Sequence, residues 1–160
     1  MTAATLAAQY QPELTIQMVP RVVREGAPAQ VRTPADVLRF AGGLSQASQE
    51  AFVVLSLDAK NGLIACDVIS VGLLDASLVH PREVFRRAVI NGAAAVILAH
   101  NHPSGDMSPS AEDVRITRQL VDAGRILDIR ILDHVIIGED ADRKPAIFSM
   151  RESGVVSFST

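Results

Sequence analysis

A short apolar run that ends at two histidines is the feature that most restricts the fold of this chain. Residues 93–99 read Ala-Ala-Ala-Val-Ile-Leu-Ala, follow a turn-forming Asn91-Gly92 pair and lead into a loop rich in Pro, Ser and Gly. A continuous apolar segment of this length between turn signals is typical of a buried β-strand. The chain is therefore expected to build a sheet that contains this strand.

The end of this strand carries a candidate metal site. Residues two apart in an extended chain point to the same side, so His100 and His102 can face a common point while Asn101 points elsewhere. Beyond the loop, Ser110 suits the N-cap of a helix and places the carboxylate of Asp113 in the first turn, facing back toward the histidines. Two neutral imidazoles and one carboxylate are the three protein ligands of a catalytic zinc site. We predict that His100, His102 and Asp113 bind Zn²⁺, although Fe²⁺ or Mn²⁺ would accept the same ligands.

Each part of this motif also has an ordinary structural explanation. Ser110-x-x-Asp113 is a common capping box, which by itself needs no metal. A single histidine at a strand end is usually a surface residue or a hydrogen-bonded one. The pair is harder to explain by packing, because two imidazoles at the end of a buried strand have no packing reason to face an acidic helix start.

Other apolar patterns predict the elements around this motif. Strands are expected at residues 14–19, 51–57, 63–69, within 126–137 and, as a sheet edge, at 146–149. The turn signal at residues 58–62 predicts that the strands at 51–57 and 63–69 are adjacent and antiparallel.

Capping and proline signals predict three helices. The first begins after Thr33 and ends at Gly42-Gly43, the second begins at Pro81, and the third begins after Ser110 and runs through Gly124. In the second helix an apolar stripe is expected to pack on the sheet. This stripe consists of Val84, Phe85, Ala88 and Val89.

Composition indicates one domain without a general affinity for nucleic acid. The chain has 160 residues, 48% of them hydrophobic, which is enough for one core, expected over residues 14–160 after a mobile leader at 1–13. A formal charge of −3 gives no general attraction to phosphate. The single cysteine excludes an intrachain disulfide and a cysteine-based zinc cluster. Since neither a signal peptide nor an apolar span is recognisable, we expect no membrane association and a cytoplasmic location.

The motif resembles that of a known enzyme family. His100-x-His102, seven intervening residues and Ser110-x-x-Asp113 match the metal-binding motif of the JAB/MPN (JAMM) metallopeptidases at every position. The resemblance to the RadC-like branch of this family runs from about residue 14 to near the C-terminus. It is carried by residues 79–85, residues 100–105, Pro109-Ser110 and Asp133-His134.

The resemblance implies a fold and a reaction. The fold is an α/β (α+β) domain of the MPN/JAB type, a mixed, largely antiparallel sheet flanked by helices and similar to that of cytidine deaminases. The reaction is the hydrolysis of a peptide or isopeptide bond by a zinc-activated water. A zinc nucleobase deaminase is set aside, because its Pro-Cys-x-x-Cys ligands cannot come from Cys66 alone.

A metal-activated water also needs a general base that passes its proton to the leaving amine. In JAMM proteins this base is a glutamate upstream, near the start of a strand, and Glu50 is the match. Without the resemblance, Glu50 would simply end a polar connection. Glu83 competes with it but lies in a first helical turn, where the helix dipole alone favours a carboxylate. Ser110 is expected to donate a hydrogen bond to the developing oxyanion.

A second hypothesis is a DNA-repair or mobile-element accessory module with a structural or vestigial metal site. The RadC-like branch is associated with DNA repair, and its longer members carry an N-terminal helix-hairpin-helix region that this chain does not show. Any phosphate-binding surface is expected at the arginines of the two helices that flank the motif. These are Arg82, Arg86, Arg87, Arg115 and Arg118.

Two further sites receive structural interpretations. His80, before Pro81, is expected to be an N-cap or a residue at the rim of the site. Asp133-His134 is expected either to hydrogen-bond a nearby loop or to support the metal ligands from behind, and a structural role is preferred. The oligomeric state and the substrate are left open.

Overall fold

The protein is described by a computed structural model over residues 29–72 and 79–158. Its helical segments are a 3₁₀-helix over Pro34–Val37, α1 over Leu38–Ala41, a second 3₁₀-helix over Gly42–Gln46, α2 over Pro81–Ile90 and α3 over Ala111–Leu127. Its strands are β1 over Ala51–Leu57, β2 over Leu63–Val71, β3 over Ala95–Asn101, β4 over Arg130–Glu139 and β5 over Pro145–Ser149. The predicted leader at 1–13 and the predicted strand at 14–19 lie outside the described residues.

The strands form one mixed sheet in the order β2-β1-β3-β4-β5. β3 and β4 are parallel, and the other neighbouring pairs of these described strands are antiparallel. Parallel neighbours need a crossover connection, which α3 supplies here. The expected α/β architecture, a mixed and largely antiparallel sheet with helices, is confirmed.

The central strands β1 and β3 are buried along their whole length. Successive residues of a strand face opposite sides of the sheet. Val54 and Leu98 therefore pack with Leu120 in the core under α2 and α3, while Val53 packs with Val37 in a second core on the other face. Because both faces are covered, these strands are continuous apolar runs rather than alternating ones.

The predicted hairpin of β1 and β2 is confirmed. In its turn, the carboxylate of Asp58 accepts the backbone N–H groups of Lys60 at 2.7 Å and Gly62 at 2.8 Å. Asn61 adopts a positive φ of 61°, which asparagine tolerates better than most residues. A Cβ at Gly62 would lie 2.5 Å from Asp58 Oδ2, which explains why glycine ends the turn.

The strands on the other side of the sheet agree with the sequence in type and differ slightly in extent. The run predicted at 93–99 forms β3 over Ala95–Asn101, so that His100 lies inside the strand and His102 just beyond it. The segment 126–137 provides one strand, because Ile126 still belongs to α3. β5 is an edge strand, as predicted.

The helical segment predicted after Thr33 is present, but only part of it is α-helical. The segment starts where expected, since the carboxylate of Asp36 accepts the backbone N–H groups of Arg32 at 2.9 Å and Thr33 at 2.8 Å. It then forms a single α-helical turn between two 3₁₀ segments. The flexible pair Gly42-Gly43, which loses much backbone entropy in a helix, falls where a second α-helical turn would form.

Two details of the long helices also differ from the prediction. Val89 does not pack on the sheet but is 60% exposed, because it lies roughly 90° around the helix from the centre of the buried stripe. α3 does not end at Gly124; it ends after Leu127, with Asp128 in the left-handed region at φ 55°. Gly124 is instead a close-approach position, where a Cβ would lie 2.6 Å from the carbonyl oxygen of Ile129.

The strand register determines where the candidate site forms. Phe52 of β1 pairs with His100 of β3, so the residue that precedes β1, Glu50, comes alongside the end of β3. The N-terminus of α3 lies at the same end of the central strands, where Asp113 meets His100 and His102. In the part of the chain that the structure describes, no helix is long and apolar enough to cross a membrane.

Candidate metal centre

The three predicted metal ligands and the predicted base meet at one end of the central strands. Ligand atoms of Glu50, His100, His102 and Asp113 all lie within 4.8 Å of one another. β3 and the residue after it supply the histidines, the first turn of α3 supplies the aspartate, and the segment before β1 supplies the glutamate. The sheet therefore brings together groups that are far apart in the sequence.

The distances among the donor atoms fit a small tetrahedral metal ion. His100 Nε2 lies 3.0 Å from His102 Nε2 and 3.3 Å from Asp113 Oδ1, and His102 Nε2 lies 3.3 Å from Asp113 Oδ2. In a tetrahedral zinc site with bonds of about 2.0–2.1 Å, two ligand atoms lie roughly 3.3–3.4 Å apart. The donor set is thus of the right type and at the right separation to hold a divalent metal.

Glu50 lies at the border of this four-residue group. Its Oε1 is 3.9 Å from His102 Nε2, and its side chain is 20% exposed, similar to His102 at 17%, whereas those of His100 and Asp113 are 0% and 5% exposed. A carboxylate that borders a metal site and remains open to solvent can exchange protons with water and substrate.

The capping box of α3 holds the carboxylate of Asp113. Its Oδ2 accepts the backbone N–H of Ser110 at 2.7 Å and the Ser110 hydroxyl at 2.6 Å, while Asp113 N donates to Ser110 Oγ at 3.1 Å. Burial alone would raise the pKa of Asp113, but hydrogen bonds from His100 and His102 outweigh it and hold this pKa well below its ordinary range. Asp113 is therefore ionised, as a metal ligand must be. The predicted capping box is therefore present, and it places the Asp113 carboxylate beside both histidines.

The loop after β3 orients His102. Its Nδ1 lies 2.6 Å from the carbonyl oxygen of Asp106, which can only accept a hydrogen bond, so Nδ1 carries the proton and Nε2 faces the cluster. The hydrogen bond with Asp113 raises the pKa of His102, although burial opposes this shift.

His134 lies directly behind His100. Its ring is buried, with Nε2 at 2.7 Å from His100 Nδ1 and Nδ1 at 2.5 Å from Thr117 Oγ1. Burial lowers the pKa of His134 well below the ordinary histidine value. His134 therefore contacts His100, a candidate metal ligand, from behind. Thr117 lies at a position of α3 with helical apolar spacing, so no local sequence signal distinguishes it.

The remaining candidates lie apart from the cluster. His80 caps α2, its Nδ1 accepting the N–H of Arg82 at 3.2 Å. Glu83, the competing base, pairs with Arg86 at 2.7 Å on the same helix and does not join the metal-binding group. Asp133 has a structural role, since its carboxylate accepts the Ser149 hydroxyl at 2.5 Å and backbone N–H groups.

Asn101 points away from the two histidines, as predicted. Its carboxamide is buried and hydrogen-bonds the backbone on both sides of Glu50. No local sequence signal indicates this contact, because it depends on the pairing of β1 with β3.

Comparison with known proteins identifies the family. Residues 31–155 match the model of the RadC-like JAB domain. A UPF0758 protein of Caldanaerobacter subterraneus is 45% identical over 135 residues, which cover 84% of this chain and 56% of that protein. UPF0758 proteins of Rubrobacter xylanophilus and Syntrophomonas wolfei are 46% and 53% identical, over 84% and 68% of this chain and 57% and 48% of their own lengths. The chain thus spans about half the length of these relatives, whose names state no activity. It belongs to the RadC-like JAB domain family.

Proposed function

We propose that this domain is a zinc-dependent hydrolase of the JAMM type that cleaves a peptide or isopeptide bond. The observation that carries the proposal is the convergence of two imidazoles and a buried carboxylate, with a partly exposed glutamate beside them. A structural zinc site is usually closed by four protein ligands, whereas a catalytic one has three and leaves a position open. We infer the second kind here, because Glu50 Oε1 lies 3.9 Å from His102 Nε2, farther than the 3.0–3.3 Å that separates the donor atoms of the other three residues.

The roles of the residues follow from their positions. His100, His102 and Asp113 would hold the metal, and Fe²⁺ or Mn²⁺ are the alternatives that this ligand set allows. When bound there, Zn²⁺ would act as a Lewis acid, lowering the pKa of water toward neutrality and polarising a carbonyl. The carboxylate of Glu50 would accept a proton from the attacking water and deliver it to the leaving nitrogen.

Ser110 is the proposed hydrogen-bond donor to the oxygen of the cleaved carbonyl. Its hydroxyl donates to Asp113 Oδ2 at 2.6 Å, so this role requires the hydroxyl to rotate toward the substrate. The backbone N–H of Ser110 would still hold the carboxylate at 2.7 Å after such a rotation.

The accessory-module alternative gains little from the arginines of α2 and α3. Arg86 pairs with Glu83 at 2.7 Å and Arg115 with Glu112 at 2.6 Å, so part of their charge is already balanced. A DNA affinity that falls steeply with salt would favour this alternative. Under the hydrolase proposal, the protein acts on a peptide or isopeptide substrate and is located in the cytoplasm.

Metal content is the first test. Protein purified without chelator or affinity metal should contain about one zinc per chain, and His102→Ala and Asp113→Ala should lose it. If the wild type takes up no zinc even after incubation with the ion, the hydrolase proposal is wrong.

The second test separates the base from the ligands. Glu50→Gln should retain the metal but reduce hydrolysis of a cleavable peptide or isopeptide by about 10²- to 10⁴-fold. Glu83→Gln is the matched control, because it removes a carboxylate that lies outside the cluster. Full turnover by the Glu50→Gln protein would show that Glu50 is not the base.

A further inference from the structure

A chain of three buried hydrogen bonds links the backbone of α3 to the far side of His100. Thr117 Oγ1 lies 2.6 Å from the carbonyl oxygen of Asp113 and 2.5 Å from His134 Nδ1, and His134 Nε2 lies 2.7 Å from His100 Nδ1. The side chains are withdrawn from solvent, with Thr117 and His100 at 0% and His134 at 1% exposure. Water therefore does not compete for these contacts. Each of them requires one proton between its two atoms, supplied by one atom and accepted by the other.

The donor and acceptor roles along this series of hydrogen bonds are determined at its α3 end. The carbonyl oxygen of Asp113 can only accept, so at 2.6 Å the Thr117 hydroxyl must donate its single proton there. Donation to His134 Nδ1 instead would leave the 2.6 Å contact between Thr117 Oγ1 and the carbonyl oxygen of Asp113 without a proton, and Met150 Sδ is farther away at 3.5 Å. Thr117 Oγ1 can then only accept from His134, which places a proton on His134 Nδ1.

The same reasoning continues through His134 to His100. A neutral His134 protonated on Nδ1 presents a bare Nε2, which must accept the Nδ1–H of His100. The alternative is a doubly protonated His134, a fully buried cation whose ring nitrogens have no carboxylate partner. Burial of such a charge is strongly unfavourable.

We propose that Thr117 and His134 are positioning residues that fix the proton of His100 on Nδ1 and so direct its Nε2 lone pair into the metal centre. This role rests on the proposed function, since it concerns how the protein orients His100, one of its proposed metal ligands. The carbonyl of Asp106 likewise holds a proton on His102 Nδ1, so Nε2 is the nitrogen left for the metal in both imidazoles. Groups behind a metal ligand commonly act in this way.

The tautomers can be observed directly in the protein without metal or substrate. In ¹⁵N-labelled, chelator-treated protein at a pH well above the ordinary histidine pKa of about 6.5, long-range ¹H–¹⁵N correlation spectra show which ring nitrogens carry protons. We expect His134 and His100 both to carry a proton on Nδ1, and His134 Nε2 to be bare. A proton on His134 Nε2 would overturn the proposal.

A matched pair of variants tests the consequence for metal binding. Thr117→Val is nearly isosteric but removes the hydroxyl, so the His134 proton should move to Nε2 and the zinc dissociation constant should rise about 10- to 100-fold. Thr117→Ser keeps the hydroxyl and should resemble the wild type in both measurements. An unchanged zinc affinity and tautomer in the Thr117→Val protein would contradict the proposal.

These readouts are independent of catalysis. If the protein binds zinc and shows the expected tautomers but cleaves no peptide or isopeptide, the proposed function fails and this inference stands. If turnover is observed with His134 protonated on Nε2, the inference fails and the proposed function stands.

Discussion

The side-chain carboxamide of Asn101 holds the backbone on both sides of Glu50. Its Oδ1 accepts the N–H of Ala51 at 2.9 Å, and its Nδ2 donates to the carbonyl of Gln49 at 3.1 Å. The carbonyl of Glu50 itself accepts the N–H of Gly72 at 2.8 Å. The residue between the two histidines therefore fixes the segment that presents the proposed base.

Removal of this carboxamide should impair turnover while the metal is retained. Asn101→Ala leaves the N–H of Ala51 and the carbonyl of Gln49 without their partner, at about 1–3 kcal/mol for each group that stays buried. We expect a lower kcat and a reduced free energy of unfolding, with zinc content unchanged. Elemental analysis, steady-state kinetics and urea denaturation measure the three quantities.

A control variant must lose stability without disturbing Glu50. Leu57 is fully buried at the opposite end of β1, and Leu57→Ala should cost about 2–5 kcal/mol. If the Leu57→Ala protein loses as much kcat as the Asn101→Ala protein under conditions where both are folded, the effect of Asn101 is one of general stability.

The ligand set could be predicted from sequence because its geometry is local. His100 and His102 share a side through the alternation of one strand, and Asp113 is placed by a helix cap a few residues later. The base could not be found in this way, since Glu50 reaches the site only through the pairing of β1 with β3. Only the resemblance to a known family pointed to it.

Thr117 and His134, which lie behind the proposed ligands, could not be identified from the sequence for a different reason. Thr117 occupies a position of the apolar stripe of α3, and His134 lies within an apolar strand, so periodicity describes both as core. Their polar atoms acquire a role only when α3 packs against the sheet. The short 3₁₀ segments after Thr33 were likewise missed, because helix signals do not state how many turns will form.

The pKa of His102 should depend on Asp113. In metal-free protein the hydrogen bond with Asp113 is the largest cause of the raised pKa of His102. An NMR titration of the chelator-treated protein should therefore give a pKa above the ordinary value of about 6.5, and Asp113→Asn should lower it. Glu50→Gln, which removes only a weaker charge interaction, should lower it less.

The sign of this shift has two consequences. Because the folded-state pKa is raised, protonated His102 stabilises the metal-free protein below pH ~6.5, and this contribution is lost as pH rises through the folded-state pKa. Zinc binding has the opposite dependence, since the ion must displace the proton. Zinc affinity should rise with pH through the pKa of His102; an affinity that is constant across this range would contradict the assignment of His102 as a ligand.

Gly138 should be needed for the position of the loop that follows His102. A Cβ at residue 138 would lie 2.6 Å from Met107 Cγ and 2.9 Å from the carbonyl oxygen of Gly105. Gly138→Ala should therefore displace this loop, cost about 1–3 kcal/mol of stability and weaken zinc binding. Thermal unfolding and zinc titration measure the two effects.

The double variant Gly138→Ala/Met107→Ala shows which contact matters. It removes the flexible side chain but not the backbone oxygen of Gly105, so we expect only partial recovery of zinc affinity. Complete recovery would mean that the backbone contact is unimportant and that the loop can adjust.

Ser110 combines a capping role with a proposed catalytic one, and two substitutions separate them. Ser110→Gly removes the hydroxyl that donates to Asp113, but glycine is a good N-cap, so stability should fall by only a few tenths of a kcal/mol. If the hydroxyl also donates to the developing oxyanion, kcat should fall by about 10²- to 10³-fold while zinc remains bound. Ser110→Thr keeps both the cap and the hydroxyl and should retain most of the activity. Loss of zinc from the Ser110→Gly protein would instead show that the hydroxyl serves the metal centre through Asp113, because the carboxylate would then have lost a partner needed to hold it in place.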